Sequence, residues 1–375
     1  MNQNYTLLFS KKIVFGAGTA MDLAKYLPDN ITSLLLVTGK HFDAMALTGI
    51  LQEKGCQVTH VHSVLPEPPL EEVDRIIEAG RTSKADAVLA IGGGSVIDAA
   101  KAAAAIIPRE GFCIDYFTEK RAVKNKGLFF IAVPTSAGTG AEMTNNSVLT
   151  DTASQVKKSL RSPFMIADIA LIDPLLTLSC PPSVTAASGL DAFIQAIEAY
   201  TSPKASAASK ALSLRAAVQI FHHIHTAYSS PGDLDARTEM AEGSMLSGMA
   251  FSQCGLGAVH GLAHPVGSLL KVPHGIACAV IMPYVFEWNM PLCESSYAEL
   301  ARACGVGNTA KEFVDAVREL ASKLCVPKDF SDYGMNETHF DFIVKNCRSA
   351  SMNQNPRPMN DEDVISMLRV LCGKL

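Results

Sequence analysis

The sequence predicts an α/β N-terminal domain with a doubly wound parallel sheet over residues 1–180, and an all-α C-terminal domain over residues 181–375. Three observations predict this fold class. The chain of 375 residues exceeds the usual span of one hydrophobic core. Short apolar runs alternate with amphipathic segments in the first half. After the double proline of "SCPPS", residues 179–183, only helical patterns follow.

Four apolar runs predict the strands of the sheet, and they are "SLLLVTG" (33–39), "CQVTHVH" (56–62), "ADAVLAIGGG" (85–94) and "GLFFIAVPT" (127–135). Apolar strands that are separated by helices are typical of βαβ units and of a parallel sheet covered on both faces. Such sheets bind ligands beyond the carboxyl ends of their strands. We therefore expect the first domain to bind a cofactor.

Helical periodicity predicts the elements of the second domain, over residues 184–201, 205–228, 233–250, 255–270, 276–289, 309–323 and 360–372. A helical domain beside a nucleotide-binding domain leaves a cleft, and small-molecule sites are common in such clefts. We therefore expect the substrate to bind between the two domains.

Composition and charge exclude several classes of protein. With 48 % hydrophobic and 18 % charged residues, the chain is typical of a soluble globular protein rather than a disordered or fibrous one. A net charge of -5 argues against a nucleic-acid partner. The apolar runs are too short to cross a bilayer, and "MNQNYTLLFSKK" does not resemble a secretory signal. The ten cysteines form no C-x-x-C pair, so we expect a reduced, cytoplasmic protein.

Two glycine-rich segments follow predicted strands. In the first, Gly92–Ser95, bare backbone at a helix N-terminus suits a pyrophosphate, and a tight turn capped by Ser95 is the alternative. The second, residues 132–142, adds the hydroxyls of Thr135, Ser136 and Thr139, which suit a cofactor or satisfy the loop's own backbone. Both loops are expected at one edge of the sheet, which favours cofactor binding.

Three histidines, His260, His264 and His274, lie in the otherwise apolar stretch "AVHGLAHPVGSLLKVPHG". His260 and His264 are four residues apart in a helical pattern and share one face. One metal ion could be reached by this helix and by His274, and local hydrogen bonding is the alternative.

A carboxylate that could join these imidazoles is present in "SGLDAFIQAIEAY", residues 188–200. There Asp191, Gln195 and Glu198 lie opposite an apolar stripe. An ordinary solvated face is one interpretation. However, no Lys or Arg occurs from residue 188 through 203, which is unusual for a helix face that meets water.

Taken together, these segments resemble the iron-containing (group III) alcohol dehydrogenase family. The motifs "GGGSVIDAAK", "PTSAGTGAE", "GLDAFIQAIEAY", "GAVHGLAHPVG", "VPHG" and "MNQNPRPMNDEDVISML" occur in the family's order and spacing over nearly the whole chain. The resemblance implies a dehydroquinate synthase-like architecture, with a dinucleotide-binding N-terminal domain and a helical C-terminal domain that binds metal and substrate. It also implies a homodimer.

The resemblance assigns roles to individual residues. It implies metal binding by Asp191, His260 and His274, and places His264 near the substrate as a polar or proton-relay residue. It implies cofactor contacts from Gly39, Gly93, Gly94, Ser95, Asp98, Thr135, Ser136, Thr139, Thr144 and Lys157.

Two departures from the family pattern bear on the cofactors. Gln195 stands where most metal-dependent members have a histidine, so the fourth ligand of the metal and the choice between Fe2+ and Zn2+ stay open. Gly39, followed by Lys40, stands where NAD-preferring relatives often have an aspartate, which favours NADP(H) slightly or dual use of NAD and NADP.

The expected function is an oxidoreductase, a metal-dependent NAD(P)-linked alcohol dehydrogenase or aldehyde reductase. Its expected substrate is a small primary alcohol or aldehyde, including an anionic one. The alternatives are a metal-independent reductase that resembles maleylacetate reductase, a carbocycle synthase that resembles dehydroquinate synthase, and a nucleotide sensor without redox chemistry.

Overall fold

Two units make up the residues that the computed structural model describes, 4–154 and 156–373. The first unit is Leu8–Ser179, and the second comprises residues 4–7 and 180–373. The chain passes from one unit to the other just before the double proline of Pro181 and Pro182.

The first unit is built on a parallel sheet of six strands in the order β1-β8-β5-β4-β2-β3, beside an antiparallel pair of β6 and β7. The strands are β1 (Lys12–Phe15), β2 (Ser33–Thr38), β3 (Gln57–Val61), β4 (Ala87–Gly92), β5 (Phe129–Pro134), β6 (Asn146–Asp151), β7 (Val156–Arg161) and β8 (Ile169–Ile172). The four predicted strands correspond to β2 to β5, so the parallel sheet is confirmed. The sequence patterns missed the short strands β1 and β8 and the β6–β7 pair.

Helices cover both faces of the sheet, and in the first unit they are α1 (Met45–Glu53), α2 (Leu70–Thr82), α3 (Gly94–Ile106) and α4 (Cys113–Phe117). Successive residues of a strand point to opposite faces. Leu35 therefore packs with the residues of α2 and α3, whereas Leu36 packs with the residues of α1. The doubly wound arrangement is confirmed.

The order of the strands places a ligand-binding crevice at one position in the sheet. From β2 the chain crosses through α1 on one face to β3, and from β4 it passes through α3 on the other face to β5, on the opposite side of the β2–β4 pair. The two crossovers diverge beyond the carboxyl ends of β2 and β4, where open α/β sheets bind their ligands. Gly39 follows β2, and Gly93 lies between β4 and α3.

A buried lysine ties α3 to the segment that follows β5. The Nζ atom of Lys101 donates to the carbonyl of Ala141 at 2.6 Å, to the Thr144 hydroxyl at 2.9 Å and to the carbonyl of Asn146 at 2.7 Å. Asp98 lies 3.5 Å away. Burial lowers the pKa of Lys101, while the negative charge of Asp98 acts in the opposite direction. The ammonium group thus satisfies three oxygen atoms that would otherwise lack this donor.

The described part of the second unit contains the helices α5 (Pro182–Thr201), α6 (Ala207–Ser229), α7 (Leu234–Cys254), α8 (Ala258–Leu270), α9 (His274–Ala303), α10 (Ala310–Lys323), α11 (Phe340–Asn346) and α12 (Asp361–Leu371). Each predicted helical pattern overlaps one of them. The pattern over residues 276–289 is too short, because α9 continues through Pro283 and Pro291. Short α11 was not predicted.

Helix α9 is long and apolar enough to cross a bilayer by length and composition alone. However, 61 % of its most apolar stretch is buried inside the protein. Val280, Ile281 and Phe286 are among its buried side chains. This burial is typical of a helix in a protein core, and it also offsets the backbone hydrogen bonds that the two prolines remove.

Candidate metal and cofactor sites

Three helices of the second unit bring ionisable side chains together. Asp191 lies on α5, His260 on α8 and His274 at the start of α9. The Oδ1 atom of Asp191 is 3.1 Å from Nε2 of His260 and 3.9 Å from Nε2 of His274. Cys278, one turn after His274, places its Sγ atom 3.6 Å from the same Nε2. One donor atom from each of these four residues lies within 4.8 Å of the others.

Helix α5 carries its polar residues inside the protein rather than on its surface. Asp191, Gln195 and Glu198 are only 2 %, 4 % and 4 % exposed. The interpretation of this side as a solvated face is therefore wrong. A buried carboxylate needs a partner to offset its desolvation, and the neighbouring helices supply imidazoles as partners.

A glycine allows α9 to approach α5 closely enough to form the cluster. A Cβ atom at Gly275 would overlap the carbonyl oxygen of Ala187 and lie 2.7 Å from its carbonyl carbon. Any larger residue would therefore push the first turn of α9 away from α5. Because His274 is adjacent, this main-chain contact sets its distance from Asp191.

Glu198 holds His260 in place. Its Oε2 atom is 2.6 Å from Nδ1 of His260, and its Oε1 atom accepts the Val259 N–H at 2.8 Å. A carboxylate that accepts a hydrogen bond from one ring nitrogen fixes the tautomer and leaves the other nitrogen available to a metal. The sequence indicated that Glu198 shares a face with Asp191, but its supporting role was missed.

The electrostatics of the cluster favour ionised ligands. Burial raises the pKa of Asp191, but the hydrogen bond from His260 and the charge of His274 outweigh it, so the pKa lies below its ordinary value. Burial likewise raises the pKa of the Cys278 thiol, and the charges of His274 and His260 bring it below its ordinary value. Burial lowers the pKa of His260 and of His274, but the charges of Cys278 and the neighbouring carboxylates outweigh it, so both pKa values lie above the ordinary value. Metal ligands bind in their deprotonated forms, so a metal ion would bind the ionised Asp191 and Cys278 directly and would displace protons from the imidazoles.

The donor set fits a divalent transition metal. Carboxylate, imidazole and thiolate are the usual ligands of zinc, and imidazole also suits iron. Gln195 borders the same space, because its Nε2 atom donates to Oδ2 of Asp191 at 3.0 Å. The Oε1 atom of Gln195 is buried and has no hydrogen-bond partner among the described residues. A bound cation or a water molecule would satisfy such an acceptor.

His264 lies beside the cluster. Its ring stacks on that of His274, with centroids 5.0 Å apart and planes 13° apart. The side chain of His264 is half-buried. The two histidines that helical spacing paired thus differ in position. His260 is one of the four donors, whereas His264 packs against the ring of His274.

Replacing Glu198 with glutamine is expected to lower the affinity for Zn2+ by about 10- to 100-fold, the usual contribution of partners outside the coordination shell. Both carboxylate oxygens accept hydrogen bonds, and an amide keeps only one acceptor. Competition against a fluorescent chelator measures this affinity. Glu294→Gln, an exposed site on α9, is the control and should bind as the native chain does. Equal affinity in the Glu198 variant would contradict the supporting role.

The glycine turn between β4 and α3 leaves the helix N-terminus open. Gly93 is the N-cap residue of α3, and no side chain caps the helix. Ser95 lies inside the first turn, where its hydroxyl accepts the N–H of Glu67 at 3.2 Å. The alternative that Ser95 caps this helix is therefore wrong. Uncapped N–H groups at a helix N-terminus are suited to a phosphate.

The two glycine-rich loops contact each other because β4 and β5 are parallel neighbours. The N–H of Thr135 donates to the carbonyl of Gly92 at 3.0 Å. A Cβ atom at Gly94 would lie 2.6 Å from Oγ1 of Thr139, so only glycine fits without displacing this threonine. At Gly93, a Cβ atom would lie 3.6 Å from the Ser136 hydroxyl. The two loops are thus in contact along the carboxyl edge of the parallel sheet.

The other predicted cofactor contacts lie farther along the chain. Asp98 accepts the Val148 N–H at 3.0 Å, and the Thr144 hydroxyl bonds to Lys101. Lys157 on β7 forms an ion pair with Glu67 at 2.7 Å. Their roles toward a cofactor, like those of Gly39 and the two loops, remain predictions.

Comparisons with known proteins match both halves of the chain. The family model described as iron-containing alcohol dehydrogenase matches residues 10–174. The model for the C-terminal part of the Fe-containing alcohol dehydrogenase family matches residues 185–372. Together the two matches span most of the sequence.

Similar proteins include bacterial alcohol dehydrogenases. Long-chain-alcohol dehydrogenase 1 of Geobacillus thermodenitrificans is 35 % identical over 329 residues, which cover 85 % of this chain and 83 % of that protein. The NADPH-dependent butanol dehydrogenase of Clostridium saccharobutylicum is 34 % identical over 371 residues, 94 % of each chain.

Solved structures with the same fold include 1,3-propanediol oxidoreductase, with a TM-score of 0.93 and 29 % identity over 98 % of this chain and 100 % of that one. Sulfoacetaldehyde reductase from Bifidobacterium kashiwanohense, solved in complex with NAD+, has a TM-score of 0.92 and 29 % identity over 100 % of both chains. The family matches, these relatives and the fold agree with one another. The chain therefore belongs to the iron-containing alcohol dehydrogenase family and is an oxidoreductase.

Proposed function

We propose that this chain is a metal-dependent, NAD(P)-linked alcohol dehydrogenase that interconverts a small primary alcohol and its aldehyde. The observation that carries the proposal is the convergence of Asp191, His260 and His274 on one buried space. A carboxylate and two imidazoles are a common ligand set for a catalytic metal ion. The similarity to a sulfoacetaldehyde reductase extends the expected substrates to anionic aldehydes.

We propose that Asp191, His260 and His274 bind the ion, Fe2+ or Zn2+, and that Gln195 is a candidate for the fourth ligand. When bound there, the ion supplies a Lewis acid that polarises the oxygen of the substrate. Glu198 keeps His260 in the required tautomer. His264 relays the proton of the alcohol to solvent, while the hydride of the same substrate passes to the nicotinamide.

The cofactor is proposed to bind at the carboxyl edge of the parallel sheet. There the open N-terminus of α3 suits its pyrophosphate, and the loop of Thr135, Ser136 and Thr139 offers hydroxyls. Asp98, Thr144 and Lys157 are proposed to complete the contacts of the nicotinamide half.

We propose that the enzyme slightly prefers NADP(H) or uses both NAD and NADP. Gly39 offers no carboxylate that would repel a 2′-phosphate, and the adjacent Lys40 is exposed and positively charged. The relative that is an NADPH-dependent butanol dehydrogenase favours NADP, and the NAD+ complex of the sulfoacetaldehyde reductase favours dual use.

The test is reduction of a panel of short aldehydes, neutral and anionic, with NADH or NADPH and with added Zn2+ or Fe2+. We expect reduced nicotinamide to be consumed with at least one aldehyde, and chelation to abolish the reaction until one ion restores it. Turnover that survives complete chelation would indicate a metal-independent reductase instead. The absence of cofactor consumption in every combination would contradict the proposal and favour the synthase alternative.

We also propose that the enzyme is a cytoplasmic homodimer. The homodimer rests on the resemblance to the family. The cytoplasmic location is supported by the cysteines, since all ten are free thiols and nine of them are buried.

A further inference from the structure

Three helices of the second unit each place two side chains with polar or metal-binding groups one turn apart. They are Asp191 and Gln195 on α5, His260 and His264 on α8, and His274 and Cys278 on α9. The first member of each pair is a predicted metal ligand. Cys278 has no role in the proposed function, although its side chain is fully buried among ionisable groups.

The position of Cys278 suits a metal ligand. Two ligands of a tetrahedral zinc ion, with Zn–S of about 2.3 Å and Zn–N of about 2.0 to 2.1 Å, are separated by roughly 3.6 Å. The Sγ atom of Cys278 lies 3.6 Å from Nε2 of His274. The contacts of Asp191 Oδ1 with His260 and His274, 3.1 and 3.9 Å, bracket the spacing expected between oxygen and nitrogen ligands of one ion.

Gln195 is the competing fourth ligand, and its amide N–H already has a structural role in the cluster. The amide presents its N–H group to Oδ2 of Asp191 at 3.0 Å, which orients the carboxylate. Turning the amide over would bring its carbonyl oxygen against that carboxylate oxygen and replace an attraction by a repulsion. Gln195 therefore positions Asp191, while its buried Oε1 atom, which has no partner among the described residues, remains the acceptor that the experiment below compares with Cys278.

We propose that the Cys278 thiolate is the fourth protein ligand of the ion held by Asp191, His260 and His274. This inference rests on the proposed function, since it presupposes a metal in this cluster. Thiolate favours zinc over magnesium or manganese, and zinc already exceeds ferrous iron in general ligand affinity. The four donors, when they hold an ion, would therefore favour zinc.

Cobalt substitution tests the assignment without measuring activity. A thiolate bound to Co2+ gives an intense charge-transfer band in the near ultraviolet, which oxygen and nitrogen ligands do not give. The cobalt-loaded native chain is expected to show this band, and Cys278→Ser is expected to bind cobalt without it. Cys293→Ser is the matched control, because Cys293 is also buried on α9 and lies outside the cluster, and it should retain the band.

Zinc affinity gives a second readout. Cys278→Ser is expected to lose more than roughly 100-fold in zinc affinity, since even partners outside the coordination shell contribute about 10- to 100-fold. Gln195→Ala is expected to keep the charge-transfer band. If Cys278→Ser does not fold, X-ray absorption of the zinc-loaded native chain decides, with a sulfur neighbour expected at about 2.3 Å.

The results distinguish a failure of the Cys278 assignment from a failure of the proposed metal-dependent function. Cobalt bound by the native chain without a charge-transfer band, or zinc without a sulfur neighbour, would overturn the role of Cys278 and leave the proposed function intact. A band that persists in Cys278→Ser would also overturn it. Failure of the native chain to bind cobalt or zinc at all would contradict the metal-dependent function itself.

Discussion

Asp191→Asn is expected to abolish metal binding and to lower kcat/KM for aldehyde reduction by about a thousandfold or more. The carboxylate is the hard anionic donor of the cluster, and an uncharged amide of the same shape cannot replace its charge. A Lewis acid contributes several kcal/mol to such a reaction, and each 1.36 kcal/mol changes the rate tenfold. Metal content after purification and steady-state kinetics measure the two effects.

Asp235→Asn is the matched control for this variant, because Asp235 is exposed in the first turn of α7. The control should retain its metal and its rate. A stoichiometric metal content in Asp191→Asn, with kcat/KM within a few-fold of the native value, would refute the assignment of Asp191. Loss of the rate with the metal retained would instead place Asp191 outside the coordination shell.

Lys101→Met is expected to lower the free energy of unfolding of the first unit by about 3 to 5 kcal/mol, the usual loss when one partner of a buried ion pair is removed. Methionine has a similar length but donates no hydrogen bond. The carbonyls of Ala141 and Asn146 would lose a buried donor, and Asp98 would lose its nearby positive charge.

Native-state hydrogen exchange of the amides in β4 and β5 reports the opening free energy of this unit separately from the rest of the chain. Lys124→Met, an exposed site in the same unit, is the control and should change protection little. If the opening free energy falls by less than about 1 kcal/mol in Lys101→Met, solvent or neighbouring groups replace the hydrogen bonds of the ammonium group.

The strands that the sequence predicted are those that parallel sheets bury on both faces. β2, β4 and β5 consist almost wholly of buried residues, and such strands appear in a sequence as continuous apolar runs. β1 has only four residues, none of them fully buried, so no comparable pattern marks it. The predicted length of α9 is too short for a different reason. Proline normally ends a helix, but burial of α9 in the protein keeps it helical through both prolines.

The metal cluster required more than local patterns. Spacing alone paired His260 with His264, whereas packing brings His260 to His274 on another helix. The sequence offered His274 and Asp191 as candidates, and the resemblance to the family assigned both to the metal. Cys278 was missed because buried cysteines usually behave as small apolar residues, and only its distance from His274 distinguishes it.

The main-chain contact between Gly275 and Ala187 fixes the spacing of Asp191 and His274 at the level of two touching backbones. A methyl group at residue 275 would force the two helices apart and widen the spacing of these donors. Calcium requires six to eight oxygen ligands at about 2.3 to 2.6 Å, so a cluster with two imidazoles discriminates against it by ligand type. The compact arrangement of the donors thus depends on the absence of a single methyl group.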